Sequence, residues 1–459
     1  MKKKKTKWKV PDDRSRSLGF DRIRIEDESR KPSELVEPEI ERALLIGICL
    51  PGEPLSQAQE HLDELDMLAR TAGAEVVDRD LVVMRRIDSA TFIGKGKVDE
   101  IAEIADDANA DLVVFDEDLA PAQTRNLEQR IGKRIIERSG LILDIFAKRA
   151  QSKEARTQVE LAQLRYMLPR LSGAWTHLER QKGGIGLRGP GETQIETDRR
   201  IIRERIRQLQ KDLEHIERIH STQRSGRERT FRFALAGYTN VGKSTLMNVL
   251  TNAGVYEENL LFATLDSTTR VVNLGFRQDV LLSDTVGFIR KLPPDLVASF
   301  RSTLAEIREA DCILHIIDLA SPSVQDQIKE VDRLFSEMEI SDIPQIHVFN
   351  KVDITEDKQI IEWARREYPA GVFISARQHI GIDKLEDVMK QTVNDARRVY
   401  TVLLSNEEGK LLSLLHQVGE VLGTRATEAG IQVQVRLLEV DANRLNLQSY
   451  QSELPSESS

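Results

Sequence analysis

The chain has 459 residues, a formal net charge of −9 and 40% hydrophobic residues, which is enough for about three domains with separate cores. No apolar run approaches the roughly 18 residues of a transmembrane helix, and the basic N-terminus lacks the apolar core of a secretory signal. Cys49 and Cys312 lie in separate apolar runs and no Cys/His spacing suggests a metal site, so we expect buried thiols in the reducing cytoplasm.

The N-terminal third predicts a tail followed by a small domain. Residues 1–40 are polar, begin with a run of lysines and are expected to be disordered. Residues 41–149 alternate short apolar runs with helical patterns, which predicts an α/β domain with a mostly parallel sheet. Within it, Gly94–Lys97 precedes a helical pattern. Three interpretations remain open there: an RNA phosphate contact, a second nucleotide site for ATP, or a plain helix-entry turn.

The middle segment, residues 150–229, is the basic part of an acidic chain. From Lys148 to Arg232 there are 20 Lys and Arg against 11 Asp and Glu. Two stripes at heptad-like spacing predict an antiparallel helical hairpin, with the first helix kinked or ended by Pro169. The stripes are Leu161, Leu164, Leu168 and Leu171, then Ile202, Ile206, Leu209, Leu213 and Ile216.

A glycine-rich connection, residues 172–191, joins the two predicted helices. It is either a disordered linker or a loop that lets backbone approach RNA closely. Basic side chains in and beside it favour the second interpretation. The candidate RNA-contact residues are Lys182, Arg188, Arg199 and Arg200.

Residues 237–244 read Gly-Tyr-Thr-Asn-Val-Gly-Lys-Ser and have the spacing of a P-loop. A strand-like run precedes them and a helical pattern follows, as this motif requires. Lys243 is expected to reach the β- and γ-phosphates, and the Ser244 hydroxyl is expected to hold Mg²⁺. The predicted phosphate-binding residues are Gly237, Tyr238, Thr239, Asn240, Val241, Gly242, Lys243, Ser244 and Thr245.

Two later segments predict the switch loops that respond to the γ-phosphate. The first holds Phe262, Ala263, Thr264, Leu265 and Asp266, and Thr264, Thr268 and Thr269 are all candidates for a second Mg²⁺ ligand. The second holds Asp284, Thr285, Val286 and Gly287, directly after a strand-like run. Asp284 is expected to bind Mg²⁺ through water, and the Gly287 N–H to meet the γ-phosphate.

The segment Asn350, Lys351, Val352 and Asp353 predicts recognition of guanine. The Asp353 carboxylate can accept hydrogen bonds from the guanine ring N–H and exocyclic amine. Adenine has neither donor in this place, and the unpaired carboxylate would cost about 1–3 kcal/mol. Ser375, Ala376 and Arg377 fit the loop whose backbone N–H meets the guanine O6.

Phe288 stands where Ras-like enzymes often carry the glutamine that orients the attacking water. A phenylalanine cannot orient water by hydrogen bonding, so the catalytic residue is unassigned. The water must be placed by another residue, a bound ion or a partner. We expect slow intrinsic hydrolysis that a macromolecule stimulates strongly; the alternative is that another residue of this chain does the work.

The C-terminal part follows a G domain predicted over residues 230–399. Residues 410–422 predict a helix and 430–438 alternate like a strand, so 400–442 should form a small α+β domain. Residues 443–459 are expected to be a disordered tail. The predicted fold is therefore α/β: a Ras-like P-loop GTPase domain preceded by a small α/β domain and an antiparallel helical hairpin, with a small α+β domain after it.

Two motifs outside the P-loop carry a finer resemblance. Residues 180–200, from Arg-Gln-Lys-Gly-Gly to Thr-Asp-Arg-Arg, and residues 91–97, Thr-Phe-Ile-Gly-Lys-Gly-Lys, resemble signatures of the HflX family in the Obg-HflX group of P-loop GTPases. Residues 238–241 and 284–288 are similar to that family's versions of the GTPase motifs. The resemblance covers about residue 41 to beyond 400.

The resemblance implies a cytoplasmic GTPase that uses Mg²⁺ and binds the large ribosomal subunit and its rRNA. It implies that the protein remodels or splits ribosomes, with hydrolysis stimulated by the ribosome. Of the three threonine candidates, the resemblance favours Thr264 as the second Mg²⁺ ligand. We expect a monomer without stable membrane insertion.

Two other functional classes remain open. The first is a nucleotide-dependent RNA-remodelling enzyme with an additional ATP site in the N-terminal domain. The second is a membrane or signalling switch recruited by the lysine-rich tail.

Overall fold

The structure is a computed structural model of the chain, and it describes residues 40–172, 190–224, 230–251, 261–262, 267–276, 279–291, 305–405, 408–427 and 429–450. These residues form two compact units. The first runs to Leu213 and includes Leu261, Phe262 and Lys291, and the second contains the other described residues from Glu214 onward. Among the described helices, none has the length and apolar character needed to cross a membrane.

The first unit begins with a parallel sheet in the order β2-β1-β3-β4. Its strands are β1 (Arg42–Cys49), β2 (Glu75–Val83), β3 (Leu112–Phe115) and β4 (Arg134–Glu137). Its helices are α1 (Leu55–Ala72), α2 (Lys95–Asp107), α3 (Pro121–Ile131) and α4 (Arg138–Arg149). All of β3 and nearly all of β1 are buried, as is usual for parallel strands covered on both faces.

This sheet confirms the predicted α/β character of the region. The sequence does not predict β4 or α4, because the four-residue strand passes directly into the helix without a turn residue between them. Both elements are largely buried. Their continuous apolar pattern therefore carries no period that would separate strand from helix.

The middle segment contributes helices α5 (Lys153–Met167) and α6 (Pro190–Arg224), with a 3₁₀ turn at Arg170–Ser172. Helix α5 ends two residues before Pro169, since proline cannot continue a helix interior. Members of the two predicted stripes pack together in one apolar cluster: Leu161, Leu164, Leu168, Leu171, Ile202, Ile206, Leu209 and Leu213. The glycine-rich connection lies outside the described residues, apart from its two ends.

A bidentate ion pair also joins the two helices. The Arg205 guanidinium on α6 donates to both Glu160 carboxylate oxygens on α5, at 2.6 and 2.8 Å. Such a planar pair adds geometric specificity to the apolar seam.

The second unit contains a six-stranded sheet in the order β10-β9-β8-β5-β7-β6. Strand β6 runs antiparallel to β7, and the other neighbouring pairs are parallel. The strands are β5 (Phe231–Gly237), β6 (Thr268–Val272), β7 (Val280–Asp284), β8 (Cys312–Asp318), β9 (Gln345–Asn350) and β10 (Val372–Phe373). The helices are α7 (Lys243–Thr251), α8 (Ala305–Arg308), α9 (Val324–Glu337), α10 (Lys358–Glu367) and α11 (Ile382–Asp395).

The carboxyl ends of the parallel strands meet at one edge of this sheet. Gly237, Asp284, Asp318 and Asn350 are the last residues of β5, β7, β8 and β9. Ligands of open α/β sheets bind outside such an edge. The fold therefore collects the predicted nucleotide-binding motifs at one place.

After α11 the described residues form an antiparallel three-stranded sheet in the order β11-β13-β12. Its elements are β11 (Arg397–Leu404), α12 (Gly409–Val418), β12 (Glu420–Thr427), β13 (Gly430–Leu438), α13 (Glu439–Arg444) and a 3₁₀ turn at Leu447–Tyr450. Alternate residues of β13, such as Val433, Val435 and Leu437, are buried in the core of this α+β region.

Two sequence-based expectations differ from this region. The helix predicted to reach Leu422 ends at Val418, and β12 follows it. Gly419 makes the turn possible because a Cβ there would lie 2.6 Å from the Val435 Cγ2 atom. Residues 443–450, which were predicted to be disordered, instead extend the domain: Leu447 is fully buried in its core and so holds the segment in place.

Candidate nucleotide-binding site

The loop between β5 and α7 is shaped by two glycines with positive φ. Gly237 has φ 150°, and a Cβ there would lie 2.2 Å from the Ile316 carbonyl oxygen. Gly242 has φ 96°, and a Cβ there would lie 2.4 Å from the Asn350 Nδ2 atom. A side chain at either position would meet both strain and a clash. The two motif glycines are therefore required by the loop itself.

Lys243, the first residue of α7, is buried and folds back over the loop. Its Nζ atom donates to the Gly237 and Tyr238 carbonyl oxygens, at 3.2 and 2.7 Å. Burial lowers the pKa of Lys243 to about 8, and the negative charge of Asp284 only partly opposes this shift. A phosphate beside the ammonium group would favour its charged form.

Nucleotide binding should therefore be accompanied by proton uptake. Since the pKa of Lys243 is about 8, about one tenth of the lysine is neutral at pH 7, about half at pH 8 and about nine tenths at pH 9. Because GDP phosphates raise that pKa, we expect uptake to increase over this range and GDP affinity to fall above pH 8. Calorimetry in buffers of different ionisation enthalpy measures the uptake.

The matched control for this prediction is Lys390→Met, which removes a solvent-accessible lysine of α11. It should leave the uptake unchanged. Uptake that stays constant between pH 7 and pH 9 would show that Lys243 does not titrate on binding.

Ser244 and Asp284 bring two oxygen groups together beside the loop. The Ser244 Oγ atom donates to Asp284 Oδ2 at 2.8 Å, and Asp284 is almost fully buried. A hydroxyl and a carboxylate suit Mg²⁺, which keeps several waters and phosphate oxygens among its ligands. The residues present therefore fit the ion, although no cluster of three His, Cys, Asp or Glu residues occurs in the described part of the chain. Thr264, the other predicted ligand, lies outside that part.

Asn350 connects three of the predicted motifs. Its Nδ2 atom donates to the Val241 carbonyl at 2.7 Å, and its Oδ1 atom accepts from the Ala376 N–H at 2.9 Å. Asn350 is buried, so water does not compete fully with either hydrogen bond. This side chain holds the P-loop, the 350–353 segment and the 375–377 segment in fixed positions.

The neighbouring residues leave Asp353 accessible. Lys351 has φ 66°, and its Nζ atom pairs with Asp318 Oδ2 at 2.7 Å. Asp353 is exposed, whereas Ser375 is buried and its Oγ accepts from the Gln378 N–H. Asp318, the last residue of β8, is not among the residues that the sequence motifs predict, because its pairing with Lys351 depends on contact between separate strands.

The switch residues fall into three groups. Thr285 is buried and its hydroxyl donates to the Leu235 carbonyl, and Phe288 is also buried. Phe262 belongs to the first unit, where its ring lies 4.6 Å from that of Phe146, so its side chain is engaged there. The other predicted residues of that loop and two of the RNA-contact candidates lie outside the described residues: Ala263, Thr264, Leu265, Asp266, Lys182 and Arg188.

Family models match three consecutive parts of the chain. Residues 59–147 match the GTP-binding GTPase N-terminal region, 149–227 match the GTP-binding GTPase middle region, and 232–351 match the 50S ribosome-binding GTPase model. The chain is 52% identical to the GTPase HflX of Flavobacterium psychrophilum over 316 residues, which is 68% of this chain and 76% of that protein. The chain belongs to the HflX family of GTPases.

Other HflX proteins match over a longer span. The GTPase HflX of Escherichia coli is 43% identical over 409 residues, covering 88% of this chain and 95% of that protein. A GTP-binding protein of Sulfolobus solfataricus, solved in complex with GDP, is 24% identical with a TM-score of 0.42, covering 77% of this chain and 98% of that one. Membership in the family, with the P-loop domain, identifies the chain as an enzyme that hydrolyses GTP.

Proposed function

We propose that this HflX-family GTPase binds the large ribosomal subunit and its rRNA under the control of bound nucleotide. Under the same control it remodels or splits the ribosome, and the ribosome stimulates its hydrolysis of GTP. The observation that carries the proposal is the match of residues 232–351 to a model described as a 50S ribosome-binding GTPase. We place the protein in the cytoplasm as a monomer.

Within the site, Lys243 contacts the phosphates and Asp353 reads the guanine base. Ser244 and Thr264 would ligate Mg²⁺, with Asp284 holding it through water, and the bound ion would supply positive charge beside the phosphates. Gain or loss of the γ-phosphate changes the order of the switch loops and so the affinity for the partner.

The basic middle segment provides the RNA-binding surface in this proposal. Arg199 and Arg200 lie on α6, and Arg200 is exposed.

A second basic group lies at the start of α2, where the Lys97 Nζ atom is paired with Asp80 and Glu100, at 3.0 and 2.8 Å. In the Gly94–Lys97 turn, Lys95 is therefore the better candidate for a phosphate contact, because it is exposed.

Sedimentation with purified ribosomal subunits tests the proposal. We expect the protein to sediment with the large subunit in the presence of a non-hydrolysable GTP analogue, and much less with GDP or without nucleotide. The small subunit is the control and should bind little in all three conditions. Equal sedimentation with the large subunit in every nucleotide state would contradict the proposal.

A further inference from the structure

The segment that follows β7, residues 287–290, pairs with the P-loop backbone. The Phe288 N–H donates to the Gly237 carbonyl at 3.0 Å, and the Phe288 carbonyl accepts from the Thr239 N–H at 2.7 Å. Gly287 makes the approach possible, since a Cβ there would lie 2.8 Å from Thr239 Cγ2. The segment therefore extends the sheet by a short parallel bridge to the phosphate-binding loop.

A side chain of the P-loop supplies a third hydrogen bond to the same segment. The Tyr238 hydroxyl oxygen accepts from the Arg290 N–H at 2.7 Å. Tyr238 is the second residue of the P-loop motif, and P-loop function does not itself require a hydroxyl there. The bond thus joins a residue of the phosphate loop to the end of the switch segment.

The Phe288 ring fixes the segment from its other side. It is 2% exposed and lies edge-on to the Phe335 ring of α9, with centroids 5.9 Å apart. Phe335 is itself buried and packs against the buried His315 ring, with the two ring centroids 5.8 Å apart. Withdrawing Phe288 would expose a large apolar side chain and break an edge-on aromatic pair.

This arrangement leaves residues 287–290 poorly equipped to hold an attacking water. Phe288 has no polar side-chain atom, and its N–H is bonded to Gly237. The Arg290 N–H is bonded to Tyr238, and the Thr285 hydroxyl just upstream is bonded to Leu235. These three donors are thus engaged within the protein, whereas hydrolysis requires donors directed at the reacting groups.

We propose that Tyr238 and Phe335 are positioning residues that hold residues 287–290 against the P-loop in an arrangement of low activity. Release of the segment frees the Phe288 and Arg290 N–H groups and increases the rate of GTP hydrolysis. The inference concerns the unstimulated GTPase reaction and does not depend on the proposed ribosomal partner.

Two variants test this inference by single-turnover hydrolysis at saturating GTP without any partner. Tyr238→Phe keeps the ring and removes only the oxygen that accepts from Arg290, and Phe335→Leu removes the ring that seats Phe288. We expect Tyr238→Phe to hydrolyse GTP about 2- to 10-fold faster than wild type. This factor of about 2 to 10 corresponds to the loss of one hydrogen bond that stabilises the arrangement of low activity. Phe335→Leu should also be faster.

The matched control is Phe231→Leu, which removes a different buried aromatic ring of the second unit, on β5, with its centroid 5.0 Å from that of Phe233. It should not accelerate hydrolysis, because general loosening of the core lowers activity or leaves it unchanged. If Phe335→Leu fails to fold, Tyr238→Phe decides the question alone. A Tyr238→Phe rate at or below the wild-type rate would overturn the proposal.

Adding large subunits separates this inference from the proposed function. If the ribosome acts by releasing the segment, Tyr238→Phe should reach the wild-type stimulated rate, so its stimulation factor falls as its unstimulated rate rises. A wild-type protein that large subunits do not stimulate would count against the proposed function only, since the positioning residues are judged on unstimulated rates.

Discussion

Replacing Asp353 by asparagine is expected to lower the affinity for guanosine nucleotides roughly a hundredfold and to create affinity for xanthosine nucleotides. Guanine presents two hydrogen-bond donors to the carboxylate. An asparagine side chain can accept only one of them, because its amide nitrogen is itself a donor. The loss of charged hydrogen bonds, together with an unpaired amine, is about 3 kcal/mol, and each 1.4 kcal/mol is tenfold in affinity. Xanthine has a carbonyl where guanine has the amine, so the asparagine amide pairs with it. Titration with fluorescent guanosine and xanthosine diphosphates measures both effects.

A second aspartate of the same region provides the control. Asp357 caps the N-terminus of α10, where its carboxylate accepts from the Gln359 N–H at 2.8 Å. Asp357→Asn removes a nearby negative charge without removing the proposed base contact, so selectivity for guanine should persist. An Asp353→Asn variant that still prefers guanine would show that another group selects the base.

Replacing Asn350 by alanine is expected to weaken nucleotide binding without removing any predicted contact to the phosphates. Two buried hydrogen bonds disappear, and the Val241 carbonyl and the Ala376 N–H are left unpaired. Each unpaired buried group costs about 1–3 kcal/mol. We expect GDP affinity to fall at least about tenfold, together with a lower melting temperature of the G domain. Equilibrium titration and thermal unfolding with and without GDP measure both.

Asn126→Ala is the matched control. Its Nδ2 atom donates to the Ala90 carbonyl at 2.7 Å, the same length as the Asn350 bond to Val241, but at an exposed site of the first unit. Loss of this bond should change neither GDP affinity nor the unfolding of the G domain. Wild-type affinity in Asn350→Ala would mean that the loops keep their positions without this bridge.

The nucleotide-binding motifs can be predicted from the sequence because each consists of consecutive residues at the end of a strand. Gly242 and Asp353 can be recognised from their neighbours in the chain alone. The roles of Asn350 and Asp318 depend instead on contacts between separate strands: Asp318 pairs in register with Asn350 only when β8 lies beside β9. No local pattern contains that information.

The same limit explains the elements that the sequence does not reveal. Strand β12 is exposed along almost all of its length, so it lacks the apolar alternation from which a strand is predicted. Strand β12 is held instead by antiparallel backbone pairing with β13. The position of Phe288 is also set by a distant residue, Phe335, which only the folded structure brings to it.

Control of large-subunit binding by the nucleotide in this site can be measured by sedimentation of Asp353→Asn with large subunits, using non-hydrolysable analogues of xanthosine and guanosine triphosphate. We expect the variant to sediment with the large subunit when the xanthosine analogue is present and not with an equal concentration of the guanosine analogue. Binding that ignores the change of base, or that still follows the guanosine analogue, would contradict it.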